Sequence, residues 1–200
     1  MLIFILLFLG WGVFHSVTAA LGLKGWFRKR FGEAAYAGWY RLLYNLISVI
    51  TFLPVYLLIP VVMSQDVLWA WQRPYLFFAV GMQLIGLIGL AYALWVTDIW
   101  HFIGVRQAVW YLRGAKQSPP EPHFTITGPY ALVRHPLYLF SLLILWFNPV
   151  MTMGSFVFYV LATAYFWIGS IYEEHKLLAH FGAAYKTYQQ SVPRLLPLPR

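Results

Sequence analysis

The chain has 200 residues, 61% hydrophobic and 10% charged, with a formal net charge of +8. Soluble domains carry roughly 25% charged residues, so this composition excludes an ordinary soluble fold and predicts an all-α, polytopic membrane protein. Cysteine is absent, which excludes disulfides, thiolate catalysis and Cys-ligated zinc or iron–sulfur centres.

Four stretches carry no charge: residues 1–23, 42–65, 74–97 and 137–172. A membrane span needs roughly 20 apolar residues. The first three stretches therefore predict one span each. The fourth is 36 residues long, too long for one span. It suits a helical hairpin, with Asn148-Pro149 and Gly154 supplying the reversal. About five spans are expected in a single domain covering 1–200. Three spans fall in 1–97, and a loop, the hairpin and a C-terminal cap fall in 98–200.

Residues 1–23 lack a basic leader region and exceed the usual signal-peptide core, so they are expected to be a retained first span. His15-Ser16 within it is expected to face neighbouring helices, because polar groups facing lipid are costly. The segment KGWFRKRFGEAAYAGWYRLLYN mixes basic and aromatic residues, a pattern of the membrane surface. It predicts an interfacial helix running into span two, which Pro54 and Pro60 should kink. Span three carries Gly81, Gly86 and Gly89, small residues that permit close helix packing.

The excess of basic residues suggests nucleic acid only until its distribution is read. Lys24 to Arg41 holds five Lys/Arg, Asp98 to Pro136 holds four, and the tail after Glu174 holds four. Arg73 alone lies between spans two and three. With five spans, thirteen of the fourteen basic residues share one side, which the positive-inside rule makes cytoplasmic. The N-terminus is then outside and the C-terminus inside, in the inner (cell) membrane, with no nucleic-acid partner.

The segment from Asp98 to Pro136 is too long for an idle connector. Residues 100–112 suggest an amphipathic surface helix, 123–126 an extended stretch, and Gly128-Pro129 a turn. Pro136 suits the start of a helix, where its missing N–H is no loss. After the hairpin, Leu177, Leu178, Phe181, Tyr185 and Tyr188 recur at helical spacing. A helix from 173 to about 190, ended by Pro193, is expected to fold back as a cytoplasmic cap.

The hairpin returns the chain to the side it left, so His135 and Glu173 should meet. His123, Tyr130, Arg134, His135, Glu173 and Glu174 are expected on one cytoplasmic face. Singly, each has a plain explanation as a topology charge, a belt aromatic or a helix end. Together they suit a site. His175 and His180 are five apart, a poor match to the three- or four-residue spacing of one helix face, and no metal or haem site is expected.

The ordered set HFTITGPYALVRHPLY, the apolar hairpin and EEHKLLAHFGAAYKTYQQSVPRLLP resembles the membrane methyltransferase superfamily, which includes isoprenylcysteine carboxyl methyltransferase and the phospholipid N-methyltransferases. FHSVTA, RLLYN, DIWHFIGVRQAVWYLRG and WFNPVMTMG resemble, more narrowly, the branch containing methanethiol S-methyltransferase and NnrU-like proteins. The resemblance implies S-adenosylmethionine as methyl donor and S-adenosylhomocysteine as product, in a cytoplasm-facing pocket under the C-terminal cap. It implies His123, Thr125, Gly128, Tyr130, His135, Glu174 and Tyr185 around the cofactor, and Glu173, Arg134 and Tyr138 nearer the reacting centre. Carboxyl-methylating relatives carry an Arg shortly before the acidic pair, suited to gripping a carboxylate. Here that stretch is YFWIGSIY, which points away from prenylcysteine. A small thiol or a lipophilic acceptor fits better. A carboxyl- or phospholipid-methylating activity, or a non-enzymatic accessory role, stands as the alternative.

Overall fold

The computed structural model describes residues 1–114 and 124–198. His123 lies outside them. Two compact units are present: Met1–Met63 with 98–114, and Ser64–Thr97 with 124–198. The segment from Asp98, expected with the hairpin half, packs with the N-terminal helices instead.

In the first unit, the expected first span is α1 (Leu2–Ala19), and a separate helix α2 (Leu21–Phe31) follows. Gly32, at φ 88°, divides α2 from α3 (Glu33–Leu57), so the expected continuous interfacial helix is broken. Pro54 lies inside α3, and α4 (Ile59–Val62) restarts after Leu58 with Pro60 in its first turn. His15 turns to α3 as expected. Its Nδ1 lies 2.8 Å from Ser48 Oγ and its Nε2 2.5 Å from the Tyr44 hydroxyl. Both ring nitrogens are thus satisfied inside a span, where an unpaired polar group would be costly.

The expected surface helix is two helices, α6 (Ile99–Ile103) and α7 (Val105–Leu112). Gly104 breaks them at φ 96°, and a Cβ there would stand 2.5 Å from the Leu42 nitrogen. Only glycine fits that backbone conformation and that close approach. Asn45 donates to the carbonyls of Phe102 and Ile103, which ties this strap to α3.

The second unit holds a short antiparallel ribbon that the sequence did not suggest. β1 (Val67–Ala70) pairs with β2 (Val150–Thr152). Between them in the chain come α5 (Tyr75–Val96), α8 (Pro129–Leu132) and α9 (Pro136–Trp146). After β2 come α10 (Met153–Phe181) and α11 (Ala183–Ser191).

The two hairpin legs are unequal. The first, α9, has 11 helical residues, about 17 Å at 1.5 Å per residue, against roughly 30 Å of hydrocarbon. Asn148-Pro149 ends it early. Asn148 Nδ2 donates to the Tyr159 hydroxyl and its Oδ1 accepts from the Val150 N–H, a local bond that competes with helix. Among the described residues, four helices are long and apolar enough to cross a membrane: Leu2–Ala19, Glu33–Val62, Tyr75–Val96 and Met153–Phe181.

The short leg nonetheless packs closely along the middle of α5. A Cβ on Gly89 would meet the Phe140 ring at 2.3 Å, and one on Gly86 the Ile144 side chain at 2.8 Å. Gln83 Nε2 donates to the Ile144 carbonyl. Trp71 stacks near Phe147 at one end of α5, and Thr97 Oγ1 lies 2.8 Å from the Tyr130 hydroxyl at the other. Gly86 and Gly89 thus act as the sequence suggested, while Gly81 meets nothing within 4 Å. The capping box of Thr152 and Ser155 then starts α10, satisfying N–H groups that a helix start leaves unpaired.

Candidate active site

The site forms at the α5 C-terminal end of the second unit, and its backbone is fixed before its side chains. After α8 the chain is extended at Val133. The Arg134 N–H donates to the Pro193 carbonyl at 2.9 Å, and the His135 N–H to the Arg194 carbonyl at 3.1 Å. This two-rung pairing clamps the chain after α11 against the RHP motif. Pro136 then opens α9 with its ring nitrogen where no donor is needed. Gly182 breaks the expected continuous tail helix, so α10 ends at Phe181 and α11 turns back.

Glu174 is the centre of the cluster, and its side chain is 4% exposed. Arg134 Nε and Nη2 both donate to Glu174 Oε1 at 2.8 Å. His135 Nε2 donates to the same oxygen at 3.2 Å. Oε2 accepts from Gln189 Nε2 at 3.0 Å and from Arg194 Nη2 at 3.2 Å. Five donors therefore surround one carboxylate. Arg134 Nη1 donates to the carbonyls of Gln189 and Val192. Buried charges persist when paired and hydrogen-bonded in this way.

Glu173 is different, with a side chain 48% exposed. Its Oε2 accepts from the Tyr138 hydroxyl at 3.0 Å and lies 3.5 Å from His135 Nδ1. Tyr138 lies between two rings, parallel to His135 at 5.3 Å and to Phe166 at 4.8 Å. The imidazole thus has a carboxylate at each nitrogen. Burial opposes its charge, but Glu173 and Glu174 outweigh burial and hold its pKa above the ordinary value.

The cap is tied down as well. The Tyr188 hydroxyl donates to the Tyr130 carbonyl at 2.5 Å. Phe124 packs on Phe181, Tyr185 and Tyr188. Tyr185 is 1% exposed, and its hydroxyl has no hydrogen-bond partner among the described residues. Burial raises the pKa of both Tyr185 and Tyr188, so each stays a neutral phenol.

The structure brings together Arg134, His135, Tyr138, Glu173 and Glu174 directly. Tyr185 and Tyr130 join through the aromatic cap. Among the described residues, Thr125 bonds Thr127, at 3.3 Å on an exposed loop, and Gly128, at φ 58°, faces the Tyr92 hydroxyl. Among the described residues, the hydrogen bonds of Arg134 and Glu174 run to each other, to His135, Gln189 and Arg194, and to the carbonyls of Gln189 and Val192. Gln189 and Arg194 were not singled out for the site. Gln189 lies four residues after Tyr185 on α11, a same-face spacing that marked it only by position. Among the described residues, no group of His, Asp and Glu suits a metal ion.

This is a predominantly helical, membrane-spanning chain with a buried ionic cluster and one half-open carboxylate where its hairpin closes. No protein-family model and no solved structure matches it. Curated relatives do. It is 32% identical over 183 residues to methanethiol S-methyltransferase 2 of Bradyrhizobium diazoefficiens, covering 92% of this chain and 68% of the relative. It is 32% identical over 200 residues to methanethiol S-methyltransferase of Pseudomonas deceptionensis, covering 98% and 72%. The same name is carried by a Mycobacterium tuberculosis relative, 32% identical over 196 residues, covering 94% and 75%. The chain belongs to the methanethiol S-methyltransferase family and is a membrane methyltransferase, as the motif resemblance implied.

Proposed function

We propose that the protein transfers a methyl group from S-adenosylmethionine to a small thiol at the cytoplasmic face of the inner membrane. The observation that carries this reading is the half-exposed Glu173, held by Tyr138 and His135 beside a cluster that is otherwise closed. The names of the relatives supply the acceptor class. The absence of an Arg in YFWIGSIY agrees with an acceptor lacking a carboxylate.

When bound, S-adenosylmethionine supplies a methyl group on a positively charged sulfonium. The described residues suit such a polar guest in one respect: the buried Tyr185 hydroxyl awaits a hydrogen-bond partner. Tyr185, with Thr125, Gly128 and Tyr130 on the loop before the RHP motif, would hold the cofactor. His123 of the same loop lies outside the described residues.

Glu173 is the proposed base. It takes the S–H proton, and the electron pair left on sulfur is the nucleophile, since the thiolate is the reactive form. Tyr138 orients the carboxylate by donating to Oε2, and His135 Nδ1 stands 3.5 Å from the same oxygen. Arg134 and Glu174 are positioning residues in this reading rather than catalyst and cofactor ligand. They lock His135 and the cap, and a fixed geometry contributes through proximity. A site at a membrane edge also sheds water, which strengthens these interactions.

For orientation, the ribbon and the contacts of α9 along α5 place residues 148–152 and the RHP motif at opposite ends of α5. That supports five legs, with the basic segments and the C-terminus cytoplasmic. Calorimetry of the full chain in detergent with S-adenosylhomocysteine tests the cofactor. Saturable binding, followed by transfer of labelled methyl to a thiol in preference to amines and prenylcysteine, is expected. A folded protein that binds no S-adenosylhomocysteine contradicts the proposal.

A further inference from the structure

One feature of the second unit lies apart from the methyl-transfer site. A groove of about 490 Å³ runs along α10, lined by Val160, Thr163, Ala164, Trp167 and Ile168, with Trp146 from the end of α9. Positions 160, 163, 164, 167 and 168 recur at three- and four-residue spacing and form one helix face. The volume is in the range of small-molecule sites. The only hydroxyl in its walls is already used. Trp146 Nε1 donates to Thr163 Oγ1 at 3.0 Å, and that hydroxyl donates to the Tyr159 carbonyl at 2.6 Å. The groove therefore offers a guest apolar contact alone, on a helix apolar enough to cross the membrane.

Its rim is charged. The Arg194 guanidinium stands 5.6 Å over the Trp167 ring. The Arg194 side chain is 31% exposed and donates to Glu174 through Nη2, while the buried Nε has no hydrogen-bond partner among the described residues. Glu173 lies elsewhere, directed to Tyr138 and His135, so the groove is not the proposed acceptor seat. An apolar trough with an Arg–Trp pair at its mouth matches a molecule with a long aliphatic chain and an anionic head. Aromatics and snorkelling cations concentrate at the headgroup level, and arginine binds phosphate through charge-assisted hydrogen bonds.

We propose that this groove seats one acyl chain of an anionic phospholipid, with Arg194 holding the phosphate. The lipid is a resident of the fold and not the methyl acceptor.

Native mass spectrometry of the full chain, titrated with phosphatidylglycerol and phosphatidylcholine of matched chains, tests this. The wild type should retain one phosphatidylglycerol with about tenfold preference, a difference of roughly 1.4 kcal/mol. Ala164→Trp, which fills the trough, should lose both lipids about tenfold. Arg194→Gln should keep chain binding and lose the preference for the anionic head. Val160→Trp serves as a second filling variant if Ala164→Trp melts early. Equal retention of the two lipids by the wild type overturns the proposal. So does unchanged phosphatidylglycerol retention in a folded filling variant, or a chain dimer that Ala164→Trp disrupts without change in bound lipid.

Discussion

At Glu174, two guanidinium groups, an imidazole and an amide converge on one buried carboxylate. Removing its charge leaves the buried Arg134 guanidinium without its carboxylate partner. Breaking a buried pair costs about 3–5 kcal/mol, so Glu174→Gln should lower the thermal midpoint by several degrees in detergent. An unchanged midpoint would remove Glu174 from the centre of the fold. His135 gives a pH signature. Its folded-state pKa is raised, so its contribution is fully present below the unfolded value of about 6.5 and is lost as pH rises through the folded value. The stability gap between wild type and His135→Gln should therefore be widest in mild acid and close toward alkaline pH. A gap that widens with pH would mean the imidazole is neutral in the fold. The acidic pair and the RHP motif were both visible in the sequence, but their division of labour was not. Adjacent helical residues point about 100° apart, so Glu173 and Glu174 meet different neighbours. Which one is buried depends on where α11 returns, and no local pattern encodes that.

Among the elements, α5 and α9 owe their contact to two glycines. Gly89→Leu would drive a side chain into the Phe140 ring. Overpacking costs typically 1–3 kcal/mol, and the loss should appear as a lower melting midpoint. The control Gly81→Leu, at a position with nothing within 4 Å, should melt close to the wild type. Besides the charge-assisted bonds to Arg134 and Glu174, the cap is held by a neutral bond from Tyr188. Tyr188→Phe deletes the bond to the Tyr130 carbonyl and should cost about 0.5–1.5 kcal/mol. Limited proteolysis after α10 should accelerate in that variant, and an unchanged rate would mean the cap does not rely on this bond. Hydropathy foretold the long helices well, because apolar length alone decides them. It missed the unequal hairpin, where Asn148 stops α9 through side-chain bonds. It also missed the β1–β2 ribbon, which depends on two segments far apart in sequence. The breaks at Gly32, Gly104 and Gly182 stood in the sequence as glycines, and each takes a positive φ, though of the three Gly104 alone is pressed against a neighbour.

For the molecule as a whole, membership in the methanethiol S-methyltransferase family and the buried cluster fit one account. The apolar hairpin brings Glu173, the proposed base, and the groups around it to the α5 C-terminal end of the second unit. The central claim is that Glu173 acts chemically while Glu174 and Arg134 hold the geometry. It is tested most directly by methyl transfer from labelled S-adenosylmethionine to methanethiol, comparing the wild type with Glu173→Gln. Loss of a general base typically costs about 10²–10⁴ in rate. The account predicts that Glu173→Gln loses at least about a hundredfold in turnover while its S-adenosylhomocysteine affinity and melting midpoint stay near the wild type. Turnover of Glu173→Gln at the wild-type rate would contradict it.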